Sequence, residues 1–176
     1  AQGRKLAYHH SEGVGPTIVF LSGFKSDMQG TKVVHLEAWA RGNGRSFLRF
    51  DYSGHGQSSG AFTDGCIGDW AEDAAAAVSH LVNGPVILVG SSMGGWIALL
   101  LAQRLEQAKV AGMVTIAAAP DFTEDSMWAG FDDAQRSDLQ RLGQVGLPSD
   151  YDEPSVITRR LIEDARPKLV LRTPVA

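Results

Sequence analysis

The stretch "LVGSSMGGWIA", residues 88–98, joins an apolar run to a segment with helical spacing and places two serines between glycines. Gly90, Ser92 and Gly94 match the pattern G-x-S-x-G, whereas Ser91 does not occupy its central position. The pattern is typical of a sharp strand-to-helix turn that strains the serine backbone and leaves no room for side chains at the glycine positions. It therefore predicts that the Ser92 hydroxyl is held out at the carboxyl end of a strand, beside a helix N-terminus that favours negative charge.

Two other interpretations of this turn compete with that one. The stretch could be a Gly-Ser turn without chemical function. A glycine-rich turn between strand and helix also cradles phosphate groups in nucleotide-binding proteins. The chain has no G-x-x-x-x-G-K-[ST] motif, and its G-x-G sequences at 13–15, 42–44 and 54–56 lack the third glycine that opens a helix. The sequence therefore argues against a nucleotide site.

Alternating apolar segments predict the organisation of the rest of the chain. Buried strands are predicted at 17–22, 45–50, 86–90 and 110–119. Helices are predicted at 31–44, at 70–82 with Asp69 as N-cap, and at 94–107. Such repeated β-α-β units indicate the α/β class, with a mostly parallel sheet and helices on both faces. After Pro120 no strand is predicted, and 155–168 is predicted to be one amphipathic helix.

Composition limits the possible functions. The 176 residues fit a single domain with a real core, and a net charge of −4 without a basic cluster argues against a nucleic-acid partner. No apolar run approaches the ~20 residues of a membrane span. Cys66 is the single cysteine, which excludes an internal disulfide framework and fits a reducing compartment. We expect a cytoplasmic protein with no cofactor and no metal. Whether a targeting segment precedes residue 1 stays an open question, because the chain begins with Ala1 rather than Met.

Three loops in a fixed order resemble those of the α/β-hydrolase superfamily. They are "FLSGFKSD" (20–27), "DYSGHGQSSG" (51–60) and "GSSMGG" (90–95). The stretches "LSGFKSDMQGTK" and "AAAPDFTEDSMW" are similar to small bacterial hydrolases related to the mitochondrial palmitoyl-protein thioesterase and acyl-glucuronide esterase of the abhydrolase group. The resemblance covers nearly the whole chain.

This resemblance implies a serine hydrolase that cleaves carboxylic esters or thioesters through an acyl-enzyme on Ser92. It implies an oxyanion hole formed by the backbone amides of Phe24 and Met93. It further implies a core over 1–120 and a small helical cap over 121–165. Aromatic and apolar cap residues are candidates for an acyl pocket, although residues of this type at helical spacing more often form ordinary core: Met127, Trp128 and Phe131.

The histidine that should activate Ser92 is missing from the expected place. All five histidines precede Ser92, whereas the resemblance implies a histidine after the last strand and an acid, usually in the loop after the strand before it. We therefore expect the sequence to be a fragment that lacks the C-terminal strands of the fold and both catalytic partners, so that the chain alone is a weak or inactive enzyme. The alternative is a catalytically inactive α/β-hydrolase-like domain that binds a ligand or partner. His55 is expected to tie its own loop together, and Asp121 to act as a cap hinge rather than as the acid.

Overall fold

A five-stranded sheet with helices on both faces forms the centre of the computed structural model, which describes residues 3–147 and 155–172. The strands of the sheet are β1 (Tyr8–Ser11), β2 (Val14–Leu21), β3 (Arg45–Phe50), β4 (Val86–Ser91) and β5 (Val110–Ile116). The helices are α1 (Thr31–Gly42), α2 (Ile67–Leu81), α3 (Met93–Arg104), α4 (Asp133–Leu142) and α5 (Arg159–Ala165). A second sheet pairs β6 (Gln144–Leu147) with β7 (Ser155–Thr158), and a π-helix spans Thr123–Trp128. The predicted α/β class is confirmed.

The strand order β1-β3-β2-β4-β5 determines which loops meet. Strands β2 to β5 are parallel, and only β1 runs antiparallel to its neighbour. Leu21 at the end of β2 lies in register with Gly90 near the end of β4. Because the carboxyl ends of adjacent parallel strands lie at the same edge of the sheet, the loops that follow β2 and β4 emerge side by side.

The core is divided by the sheet because successive strand residues point to opposite faces. In β2, Val19 and Leu21 face a large cluster that includes Trp70 of α2 and Trp96 of α3. Phe20 faces the other side, where a smaller cluster includes Val33 of α1. The large cluster also contains buried residues from beyond Pro120: Phe131, Leu139, Val145, Ile157 and Leu161. Core residues of the expected cap region thus pack together with those of the main domain.

The prediction that no strand follows Pro120 is wrong. Val145 of β6 pairs with Ile157 of β7, and both side chains are buried. The predicted single helix over 155–168 is also wrong in its first turn, where Ser155–Thr158 is strand β7. The Thr158 side chain accepts a hydrogen bond from the backbone amide of Leu161, so Thr158 is the N-cap at which α5 begins.

Strand β1 and the start of helix α2 also differ from the predictions. Strand β1 was not predicted, since its histidines mask the apolar alternation; His9 bonds Glu37 at 2.6 Å and His10 bonds Ser46 at 3.1 Å. Helix α2 begins at Ile67 with Cys66 as N-cap, which corrects the prediction for Asp69. The Asp69 carboxylate lies within the first turn and pairs with Arg4 at 3.1 Å instead of capping the helix.

Asp121 fastens the segment that follows α5 to the carboxyl end of β5. Its buried carboxylate accepts the backbone N–H of Val170 at 2.8 Å and of Leu171 at 2.9 Å. Its backbone lies at φ 58°, in the left-handed region that Asp tolerates better than most residues. The carboxylate therefore fixes the segment after α5 in place, and the hinge role stays a prediction.

We expect Asp121→Asn to lower the free energy of unfolding by about 1–3 kcal/mol, because an amide has only one acceptor oxygen for the two N–H donors that the buried carboxylate binds. Urea denaturation measures the loss. The exposed Asp138, which pairs with Arg141 at 3.0 Å, supplies the control Asp138→Asn, with an expected change below about 0.5 kcal/mol. Equal effects of the two substitutions would contradict the assigned role of Asp121.

Candidate active site

Ser92 occupies a strained turn between β4 and α3. Its backbone has φ 54° and ψ −120°, a conformation that costs a non-glycine residue on the order of 1–3 kcal/mol. Three backbone hydrogen bonds hold it there: Ser92 N–H donates to the Ile116 carbonyl at 3.0 Å, and the Ser92 carbonyl accepts from Gly95 and Ala119 at 2.9 and 3.0 Å. Ser91 is buried, whereas Ser92 is partly exposed. The turn thus exposes Ser92 more than Ser91.

The glycines beside Ser92 leave space for backbone rather than for side chains. A Cβ atom at Gly90 would lie 2.4 Å from the carbonyl oxygen of Gly94. A Cβ atom at Gly94 would lie 1.9 Å from the carbonyl oxygen of Leu21 in β2. The steric reason for the G-x-S-x-G pattern is therefore present in this fold.

The loop after β2 lies directly against Ser92. A Cβ atom placed on Gly23 would be 3.4 Å from the Ser92 Cβ atom, an ordinary van der Waals distance. Gly23 and Ser26 close a turn through a 3.1 Å backbone hydrogen bond, with Phe24 and Lys25 at its two central positions. Lys25 has φ 57° there.

A cavity of about 280 Å³ lies between this loop, the Ser92 turn and the first turn of α1. Its lining residues are Phe20, Ser22, Gly23, Phe24, Ser26, Asp27, Gly30, Thr31, Lys32, Val33, Ser91 and Ser92. Phe24 and Ser92, predicted from separate parts of the sequence, therefore face one space. Met93 is the first residue of α3, a position whose N–H has no acceptor within the helix, and its side chain is fully buried.

The three candidate acyl-pocket residues do not line this cavity. Phe131 is buried in the large core cluster, and Met127 packs against that cluster. The guanidinium groups of Arg136 and Arg166 lie 5.3 and 5.0 Å from the centroid of the Trp128 ring. The structure thus brings Phe24 to Ser92 and leaves Met127, Trp128 and Phe131 in packing contacts.

None of the five histidines lines the cavity that contains Ser92. His55 is buried, its Nδ1 lies 3.2 Å from the Ser53 carbonyl oxygen, and its ring packs edge-on against Phe62 and Trp70. These contacts support its expected role as a tie within its own loop. Burial lowers the pKa of His55, since it disfavours the imidazolium, and this outweighs the opposing effects of the Ser53 carbonyl and the carboxylates of Asp51 and Asp73.

Two buried carboxylates beneath the loops were not identified from the sequence. Asp51 accepts the backbone N–H of Met28 and of Gln57. Asp73 accepts the backbone N–H and the hydroxyl of Ser53, at 2.9 and 2.6 Å. The position of Asp51 directly after a predicted strand was the signal that could have pointed to it. Within residues 3–147 and 155–172, no cluster of His, Cys, Asp and Glu has the arrangement of a metal site.

We expect Gly94→Ala to destabilise the protein by at least about 2 kcal/mol, because the new methyl group meets backbone of β2 rather than a movable side chain. Thermal denaturation followed by circular dichroism measures the effect. The control is Gly42→Ala at the end of α1, where nothing lies within 4 Å of the added atom and a gain of up to about 1 kcal/mol is expected. A stable Gly94→Ala protein would show that α3 does not approach β2 so closely.

The lowered pKa of His55 predicts a loss of stability on acidification. The unfolded chain takes up a proton as the pH falls through about 6.5, whereas folded His55 stays neutral until a lower pH. The free energy of unfolding should therefore fall as the pH drops from 7 through that window. Urea denaturation at several pH values gives the free energy of unfolding as a function of pH, and its fall on acidification should be smaller for His55→Gln than for the wild type. The same pH dependence in the two proteins would rule out the assignment.

Comparisons with known proteins agree with this geometry. A family model described as the alpha/beta hydrolase fold matches residues 16–163. A protein of Agrobacterium vitis S4, provisionally named as a hydrolase, has a solved structure with TM-score 0.92 and 40% identity, over 98% of this chain and 69% of that one. Mouse alpha/beta hydrolase domain-containing protein 10 gives TM-score 0.85 at 32% identity, over 97% of this chain and 68% of that one.

A curated relative matches over a similar part of the chain. The mitochondrial palmitoyl-protein thioesterase ABHD10 of Rattus norvegicus is 33% identical over 172 residues, which are 97% of this chain. The present chain spans 57% of the length of that rat protein. On the evidence of the family model and these relatives, the chain belongs to the α/β-hydrolase family.

Proposed function

We propose that this protein is a serine hydrolase that cleaves carboxylic ester or thioester bonds, with Ser92 as nucleophile. One observation carries the proposal: Ser92 is held at φ 54° on the wall of a cavity that it shares with the Phe24 loop. A strained conformation fixed by three backbone hydrogen bonds is typical of a functional position.

In the proposed reaction the Ser92 Oγ attacks the acyl carbonyl carbon while its proton passes to a base. The carbonyl oxygen becomes negative and accepts hydrogen bonds from the backbone amides of Phe24 and Met93, next to the positive end of α3. The tetrahedral intermediate expels the alcohol or thiol, which takes the proton, and water then releases the acid from Ser92. The catalytic acid and histidine stay a prediction.

The substrate class is proposed from the relatives and from the walls of the cavity. Relatives named palmitoyl-protein thioesterase support an acyl ester or thioester. Phe20, Phe24 and Val33 offer apolar wall, whereas Ser22 and Ser26 offer hydroxyl groups. The volume of about 280 Å³ is near the lower limit for small-molecule pockets, which favours a short segment of substrate at this point.

The location in the cell and the relation to membranes also stay predictions. Among the described residues, no helix combines the length and apolar character that crossing a bilayer requires. The mammalian relatives carry the word mitochondrial in their names, whereas the expectation for this chain is cytoplasmic.

A second candidate function is a catalytically inactive domain that binds a ligand or partner in the same cavity. The observation in its favour is that none of the histidines lines the cavity with Ser92. A binding domain would keep the cavity and the folded turn but would not form a covalent bond at Ser92.

Labelling with a fluorophosphonate separates the two candidates. We expect protein expressed from its complete gene to form a covalent adduct at Ser92, because the phosphonyl oxygen can occupy the same amide pair as the carbonyl oxygen. Ser92→Ala should abolish the adduct seen by intact-protein mass spectrometry. Ser91→Ala should retain it, because Ser91 is buried. Absence of labelling in the folded wild type would favour the binding domain, and loss of labelling in Ser91→Ala would mean that the wrong serine was chosen.

A further inference from the structure

We propose that Asp51 is a positioning residue that holds the Phe24 loop against Ser92 and thereby sets the geometry of the oxyanion hole. The inference rests on the proposed function, since it concerns the amide that would stabilise the oxyanion. It assigns a catalytic consequence to a side chain that does not line the cavity.

The Asp51 carboxylate joins two loops at the carboxyl edge of the sheet. Its Oδ1 accepts the backbone N–H of Met28, in the loop after β2, at 2.6 Å. Its Oδ2 accepts the backbone N–H of Gln57, in the loop after β3, at 2.8 Å. Asp51 itself directly follows β3, so the rigid sheet supplies the fixed point to which the Phe24 loop is attached.

Met28 is the place where the Phe24 loop is fastened. Its N–H bonds Asp51, its carbonyl accepts from Arg49 Nη1 at 2.5 Å, and its side chain is buried. On the other side of the turn, Gly23 lies against Ser92. The backbone of Phe24 therefore lies between a contact with the Ser92 turn and an anchor on Asp51, while its ring packs against Phe62, Trp70 and Phe122.

The chemistry of the anchor requires a carboxylate. Asp51 is 2% exposed, and no ion pair to it occurs within the part of the chain that the structure describes, so main-chain N–H groups stabilise its charge. Both bonds need an acceptor oxygen, and an ionised carboxylate is the side chain that presents two. Gly56, at φ 47°, closes over the group, since a Cβ atom there would lie 2.2 Å from Oδ2.

Asp73 is a matched control for Asp51. It is also buried and also accepts backbone and side-chain donors, from Ser53 and from Arg4 at 3.0 Å. Its bonds to Ser53 hold the loop after β3, and within the described residues none of its hydrogen bonds reaches the Phe24 loop. A substitution at Asp73 thus tests for general damage to a buried carboxylate.

The test compares Asp51→Asn with Asp73→Asn in protein expressed from its complete gene. In Asp51→Asn the new amide group faces one of two N–H donors, so the Met28 anchor or the Gln57 anchor is lost. We expect kcat on a p-nitrophenyl ester, and the rate of fluorophosphonate labelling, to fall about 10-fold to 100-fold with little change in KM. Hydrogen–deuterium exchange should become faster over residues 22–28. Asp73→Asn should lower Tm while kcat and exchange over 22–28 stay near wild type.

Several outcomes would overturn the proposal. Faster exchange over 22–28 with unchanged kcat would mean that the anchor does not control the oxyanion hole, and the proposed function would stand. Equal losses of kcat in both variants would show a general stability effect. If neither Asp51→Asn nor Asp51→Ser folds while Asp73→Asn does, Asp51 is a requirement of the whole fold and not a positioning residue. A wild type that does not label would refute the proposed function itself, independently of the exchange result.

Discussion

The close approach of α3 to β2 is the constraint on which the arrangement of the site depends. Gly94 brings the first turn of α3 against the carbonyl oxygen of Leu21, at a distance that excludes any side chain. Because β2 and β4 are neighbours in register, this contact places the turn that follows β4 beside the loop that follows β2. The strained backbone of Ser92 is the local cost of that approach, and the hydrogen bonds to Ile116, Gly95 and Ala119 offset it.

Buried carboxylates that accept backbone amides recur wherever a loop must keep its shape. Asp51 binds two loops together, Asp73 holds Ser53, and Asp121 fastens the segment after α5. Each is at most 2% exposed. Backbone N–H groups in a loop have no neighbouring strand to accept their hydrogen bonds. A carboxylate, which has two acceptor oxygens, accepts them instead. Asp51 follows β3 and Asp73 lies in α2, so the loops near Ser92 are fastened to regular secondary structure in addition to their own contacts.

The sequence predicted the elements whose pattern is local. The four parallel strands and the Ser92 turn follow from apolar periodicity and from glycines that only a tight turn needs. Strand β1 was missed because His9 and His10 form their bonds to Glu37 and Ser46 across distant parts of the chain. Strands β6 and β7 were missed because each has four residues and gains its stability from pairing with the other. The anchoring role of Asp51 depends on Met28, 23 residues earlier, and no local pattern reveals such a bond.

The two edge strands of the five-stranded sheet, β1 and β5, differ in length and in polarity. Strand β1 is short and polar, which discourages the addition of a further strand. Strand β5 has seven residues, pairs on one side only within the described chain, and leaves Val114 52% exposed. A seven-residue border with apolar side chains accepts a further strand more readily than the short polar border at β1, so a strand added to this sheet, from the same protein or from a partner, is expected beside β5.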